Sequence, residues 1–264
     1  MLNLVFSIQN FYYECVIQVK NVISNYFEKT PEKGLVENNI FLLAEHILFF
    51  FSGIILFWSE EWLLNTDMIW GQELNLRIIF YYLFYTIRYL VQIQLMTGEE
   101  KDYQSMMAHH ISTILLLTLS FVHYHRIGIV IALSHDIADL AFLPAKIFHK
   151  FYETRKIKIL NILSYIHFVI FFLLFFLTRI ILNSKLILCT YDHFFYPEDL
   201  FLIHNPGIYF EGYVLLILLH VNLAIQIFWQ FMIIKFSYNL IVGGKPKDEK
   251  GNEYFKPENK IKSS

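Results

Sequence analysis

The chain has 264 residues, of which 56% are apolar, 18% aromatic and only 17% charged. An ordinary soluble domain carries about 25% charged residues, so this composition excludes one and points to a membrane protein. The formal net charge of −2 gives no electrostatic footprint for a nucleic-acid partner.

Met1–Lys20 contains an apolar stretch but also Gln9, Asn10 and Glu14. It lacks a basic start and a small-residue cleavage site, so it reads as a weak span or an interfacial helix rather than a signal peptide. Six runs then follow that reach, or nearly reach, the roughly 20 residues needed to cross a bilayer. They are Ile40–Trp58, Leu76–Met96, Met106–Val122, Ile127–Ile147, Ile159–Leu182 and Gly212–Phe236. Backbone polar groups in lipid must bond within their own segment, so each run is predicted helical. The fold class is therefore all-α, a polytopic transmembrane helical bundle with six core spans and a seventh if the N-terminal segment crosses.

Three regions follow: residues 1–39 as the N-terminal segment, 40–236 as the membrane domain and 237–264 as a tail. From Gly243 the tail is rich in Gly, Pro, Lys and Glu and is predicted to be disordered. The loop Ser59–Asn75 carries Glu60, Glu61, Asp67 and Glu73 but no Lys or Arg. Basic residues gather in Lys101, in Phe148–Lys158 and in the tail, which places those segments in the cytosol. Trp58, Trp62 and Trp70 read as an interfacial aromatic belt. The 27 Phe and 17 Tyr fit AT-rich codon usage rather than a ligand. Cys15 and Cys189 form neither a disulfide framework nor a CxxC metal motif.

The third and fourth runs carry the chemistry. His109 and His110 open the third; His135, Asp136 and Asp139 lie on the fourth. Ionisable groups at membrane depth cost several kcal/mol (roughly 2.5–3.5 on insertion scales), so a cluster of them marks a functional site. Adjacent helix positions point about 100° apart, so one of the two histidines faces the bundle cavity and the other a neighbouring helix. Spacings of three and four place His135, Asp136 and Asp139 near one face. The short turn between the runs makes them antiparallel, with Asp139 toward the depth of the histidine pair and Asp136 and His135 deeper. An Asp beside a His fixes its tautomer, and the freed nitrogen can deprotonate an amine or attack a thioester. The second His can donate to an oxyanion. The rival readings are polar residues joining helices and a His/Asp metal site. No multiple HxxHH-type boxes accompany the cluster, and no metal ligand is assigned.

Residues Met107–Lys146 read MAHHISTILLLTLSFVHYHRIGIVIALSHDIADLAFLPAK. This segment resembles the signature of ceramide synthases, the longevity-assurance type of TLC-domain protein. The matching residues are His109-His110, Thr113, Ser120-Phe121, Arg126 with Gly128, His135-Asp136, Asp139 and Ala145-Lys146. Weaker similarity runs from about Phe41 to Phe236. The segment departs from the family at Leu143, where Glu is usual, at Pro144, and in being one residue short between Ser120 and Arg126.

The resemblance implies N-acylation of a sphingoid base by a fatty acyl-CoA in the endoplasmic reticulum membrane. It implies no cofactor beyond acyl-CoA as co-substrate, and membrane lipid as surroundings; it is compatible with a homo- or a hetero-dimer without fixing the oligomeric state. It assigns catalysis to His109, His110, His135, Asp136 and Asp139, and substrate binding to Arg126 and Lys146. The basic loop Lys150–Lys158 would meet the phosphates of the co-substrate or simply follow the positive-inside bias. The loop Asn183–Glu211 would influence acyl-chain length. Non-catalytic lipid-binding TLC proteins and metal-dependent lipid enzymes are the alternatives.

Among the remaining polar residues, Arg88 is expected to pair with a carboxylate such as Glu45. Arg179 is expected to snorkel, and His46, His167 and His220 to be satisfied within or between helices. Pro144 should end or kink its helix near Asp139.

Overall fold

The computed structural model describes residues 2–30, 34–70, 73–96, 103–195 and 206–242. Among them, the elements are helices: α1 (Leu2–Phe27), α2 (Leu35–Phe57), α3 (Leu76–Leu95), α4 (Tyr103–Ser120), α5 (His125–Arg155), α6 (Lys158–Leu174), α7 (Asn183–Phe195) and α8 (Pro206–Ile241). Two short 3₁₀ turns, Glu61–Leu63 and Thr66–Met68, lie between α2 and α3, and a π-helical segment, Phe175–Leu182, joins α6 to α7. The tail from residue 243 and Lys101 lie outside the described residues.

Five helical stretches are long and apolar enough to cross a membrane: Val36–Phe57, Leu76–Leu95, His125–Arg155, Lys158–Phe195 and Phe210–Asn239. The protein is thus an all-α, multi-pass membrane protein. The sixth predicted span, α4, is a helix, but its polar first turn and its two histidines make it less apolar than the others. It packs chiefly on α8 and α3. The outward faces carry large apolar side chains such as Phe51, Ile55, Phe80, Ile166, Leu173 and Phe231, as expected where lipid replaces water.

The helix α5 is the central element, far more enclosed than the other spans, and it packs mainly against α6 and α2. Gly128 permits this at its start. Tyr82 Oη donates to the His125 carbonyl (2.7 Å) and meets Ser120 Oγ (3.0 Å). A Cβ on Gly128 would collide with that hydroxyl. The motif residues Ser120 and Gly128 therefore seat α3 on the α4–α5 corner.

Pro144 does not end α5, which runs on to Arg155 and stops where Lys156 takes φ 56°. Packing on α6 holds this stretch, where Ser164 Oγ donates to the Ala145 carbonyl (2.9 Å). The predicted basic loop is accordingly helical for most of its length. Its Lys150 and Arg155 ride on the last turns, where cations complement the helix dipole. The predicted loop after residue 182 also begins as helix, since α7 continues to Phe195.

Trp62 is buried rather than facing an interface belt; Trp70 stacks on His193 (3.9 Å), while Trp58 is exposed. The N-terminal helix α1 lies against α2 and α3 through Tyr12 and Val16. Among the described residues it is not one of the stretches apolar enough to span.

Candidate active site

Two adjoining polar clusters fill the bundle interior. The first is a cage of ion pairs centred on Arg88, whose side chain is 1% exposed. Arg88 Nη1 donates to Asp136 Oδ1 (2.8 Å), and Nε lies 3.2 Å from Glu45 Oε2. Phe49 and Tyr85 flank the guanidinium. Glu45 also accepts from Tyr12 Oη and Gln92 Nε2, both at 2.6 Å. The Arg88–Glu45 pairing expected from sequence is present, with Asp136 added to it.

His46 fits between these groups. Its Nδ1 lies 2.7 Å from Asp136 Oδ1, and its Nε2 lies 3.1 Å from Arg88 Nη2. Arg88 Nη2 also lies 2.9 Å from Nδ1. His46 is thus bonded between helices. His167 and His220 instead pair through Nδ1 with the carbonyls of Leu163 and Leu216, one turn earlier.

Arg179 does not snorkel. It is buried, and its Nη2 donates to Asp139 Oδ2 (2.5 Å) and to the His135 carbonyl (2.8 Å). The π segment explains its reach. Thr178 Oγ1 donates both to Leu174 O (2.8 Å), in its own chain turn, and to Ser134 O on α5 (3.0 Å). Such π bulges in long helices often occur at functional sites.

The second cluster is imidazole. His109 and His135 have ring centroids 5.3 Å apart, and His109 lies 5.8 Å from His110. Trp229 of α8 closes one side of His109 (5.0 Å), and Tyr89 of α3 meets His110 (5.1 Å). All three histidines are buried, and the Nδ1 atoms of His109 and His135 have no hydrogen-bond partner. The two adjacent histidines divide as expected, His109 inward and His110 toward a neighbouring helix.

Two expectations are corrected. His135 does not share a face with Asp136: His135 turns to α4 and α8, whereas Asp136 turns to α2 and α3, and Asp139 bonds to the π segment while its Oδ2 lies 3.9 Å from His46 Nε2, beside Asp136. Nor do the carboxylates orient the histidine pair, because their hydrogen bonds go to Arg88, His46 and Arg179. Positions 135 and 136 are adjacent, so the 100° helical step sends them to different neighbours. His109 consequently lies level with His135 rather than with Asp139.

Arg126 and Lys146 lie outside both clusters. Arg126 donates to the Met68 carbonyl (2.9 Å) and covers the Trp62 ring, so it ties α5 to the α2–α3 connection. Lys146 is exposed, with Nζ 4.0 Å from the centre of the Phe142 ring. They sit on α5 on opposite sides of His135, about 13 and 16 Å away along the axis.

The structure adds residues that the sequence reading left out. Gln226 of α8 brings Nε2 to 3.5 Å from His135 Nε2 and donates to Asn222 Oδ1 (3.2 Å). With Gln230 these residues form a buried stripe at intervals of four. The signal was legible as amides recurring at helical spacing on an apolar run, but amides do not titrate, so a search for ionisable groups passes over them. Among the described residues, no group of three or more His, Cys, Asp or Glu is arranged to hold a metal ion. Asp136 and Asp139 already face guanidinium groups, which disfavours a cation beside them.

An all-helical, multi-pass bundle with interior histidines beside a buried ion-pair cage defines the class of protein. The model of the TLC domain matches residues 36–235, and the chain belongs to that family. Its relatives bear out the resemblance to ceramide synthases. Ceramide synthase 4 of Bos taurus is 29% identical over 203 residues, covering 74% of this chain and 48% of that protein. Ceramide synthase hyl-1 of Caenorhabditis elegans is 26% identical over 216 residues, covering 75% and 55%. Sphingosine N-acyltransferase LAG1 of Saccharomyces cerevisiae is 22% identical over 262 residues, covering 93% and 61%. The chain thus spans about half the length of the relatives it matches.

Proposed function

We propose that this protein is a ceramide synthase of the endoplasmic reticulum membrane, joining a fatty acyl group from acyl-CoA to the amine of a sphingoid base. The observation that carries this reading is the cluster of His109, His110 and His135, three buried imidazoles of which His109 and His135 leave Nδ1 without a partner in the fold. Ion pairs and interhelical bonds account for the carboxylates and guanidiniums, but they do not account for these rings.

The reaction requires a base and an acid close together. The amine nitrogen attacks the thioester carbonyl carbon, the C–S bond breaks, and the ammonium proton passes to the departing thiolate, which leaves as coenzyme A. His109, set between His135 and Trp229, is suited to take that proton or to carry the acyl group transiently as an acyl-imidazole. In the second route His109 nitrogen displaces the thiolate first, and the amine then displaces the imidazole. His110 is the partner that donates to the developing oxyanion. The double histidine lies within two turns of the first residue of α4, so the polar nucleotide head can stay in water while the fatty chain enters the bundle. Asp136 and Asp139 hold α5 in place through Arg88 and Arg179. No resident cofactor belongs to this reading.

The test supplies sphinganine and a mixture of acyl-CoAs to membranes containing the chain and detects N-acylated products by mass spectrometry. Wild type is expected to form ceramides, and His109→Ala to lose at least about 100-fold in rate while remaining folded. No product from folded wild type across acyl lengths overturns the proposal.

A further inference from the structure

The stripe Asn222, Gln226 and Gln230 has no structural reason sufficient for its burial. Asn222 and Gln226 are 0% exposed and Gln230 is 7% exposed, on a helix that is otherwise largely apolar. One hydrogen bond links Gln226 to Asn222, and one long approach links Gln226 to His135. Asn222 Nδ2, Gln226 Oε1 and both polar atoms of Gln230 are left without partners. Each such atom costs about 1–3 kcal/mol when buried. A sequence that retains four of them beside a histidine cluster is shaped for something that binds them.

The chemistry of the stripe limits what that is. Carboxamides offer donors and acceptors without charge. Arg88 and Arg179 are engaged by carboxylates, so the stripe offers no cation for a phosphate. The carboxylates face other helices, so it offers none for a metal ion or a retained ammonium. A hydroxyl, which both donates and accepts, matches an amide pair. Gln226 Oε1 is an acceptor suited to the N–H of a neutral amine, the form able to act as nucleophile.

We infer that Asn222, Gln226 and Gln230 are the seat for the polar head of a long-chain amino alcohol, reading its hydroxyls and aiming its amine at His109 and His135. The inference rests on the acyltransferase reading and names how that site selects its acceptor. With Gln226 Nε2 donating to His135 Nε2, the His135 proton resides on Nδ1, and Gln226 Oε1 faces the incoming amine. Asn183 carries a further carboxamide with neither end bonded, one turn beyond Arg179.

The experiment measures binding without turnover. Purified full-length protein is melted with sphinganine, with 1-deoxysphinganine and with octadecylamine, which share a chain but differ in hydroxyls. Wild type is expected to be stabilised most by sphinganine and least by octadecylamine. In Asn222→Leu and Gln230→Leu the preference for sphinganine falls about tenfold, the effect of one lost hydrogen bond, while octadecylamine binding holds; Gln226→Leu, which loses the acceptor for the amine, is expected to weaken all three. In turnover, KM for sphinganine rises and KM for acyl-CoA does not.

Equal stabilisation of wild type by all three amines overturns the proposal, as does a uniform loss for all three in the Asn222 and Gln230 variants, which would mark a merely structural stripe. Asn222→Ser and Gln230→His keep hydrogen-bonding capacity and are expected to keep the preference. They serve where a leucine variant fails to fold, and loss of preference in well-folded forms of both also counts against the seat. Discrimination among amines without acyl transfer would remove the acyltransferase reading and leave the seat; acyl transfer without discrimination would do the reverse.

Discussion

Arg179 binds Asp139 and the carbonyl of His135 through a single nitrogen, so the π segment grips α5 at the residue that carries the third imidazole. The helical turn that presents His135 to His109 is thereby fixed from the opposite side. An ion pair outside the imidazole cluster sets its geometry.

Removing one partner should therefore be worse than removing both. Arg179→Met leaves the partly buried Asp139 carboxylate without its guanidinium and is expected to cost about 1–3 kcal/mol. Arg179→Met with Asp139→Asn should recover much of that stability. Melting of the purified variants checks this; equal loss in the single and double variants would show that charge pairing is not what holds the segment.

Arg88 is the most demanding position of the cage. It reaches Asp136, Glu45 and His46 at once. Arg88→Met is expected to abolish folded yield or to cost about 3–5 kcal/mol. Arg88→Lys should recover little, since a point ammonium cannot span three partners. Size-exclusion of membrane extracts reads the folded fraction.

Gly128 admits the Tyr82 hydroxyl. Gly128→Ala should destabilise by about 1–3 kcal/mol through overpacking. Tyr82→Phe in the same chain should restore part of this, though it leaves the His125 carbonyl without its donor. A melt that is unchanged in Gly128→Ala would contradict the close approach.

Arg126 and His135 separate a motif residue that holds the fold from one in the imidazole cluster. Arg126→Ala should alter acyl transfer within about twofold, in keeping with the small effect of changes remote from a site. His135→Gln should lower it by about 100-fold or more. Product formation in matched membranes decides, and equal losses would place Arg126 nearer the chemistry than its bond to Met68 indicates.

The run lengths of apolar residues made the helical, multi-pass class legible, because lipid leaves the backbone no other partner than itself. The double histidine and the HD-x-x-D segment were legible because ionisable groups stand out against Leu and Ile. Arg179 was misjudged because a span end and a π bulge read alike in one dimension. Pro144 does not end its helix because packing on α6 outweighs the missing helical bond. The amide stripe was visible as spacing, but its meaning depended on which face of α8 meets α4 and α5.

By itself the sequence determined the membrane class, the helices and the residues able to do acid–base chemistry. These follow from local properties: burial cost, period and side-chain type. Only the tertiary structure decided the partnerships. It placed His135 with His109 and Gln226, and it engaged Asp136 and Asp139 with Arg88, His46 and Arg179. Neighbouring residues on one helix point about 100° apart, so which helix each of them meets is fixed only when the bundle closes.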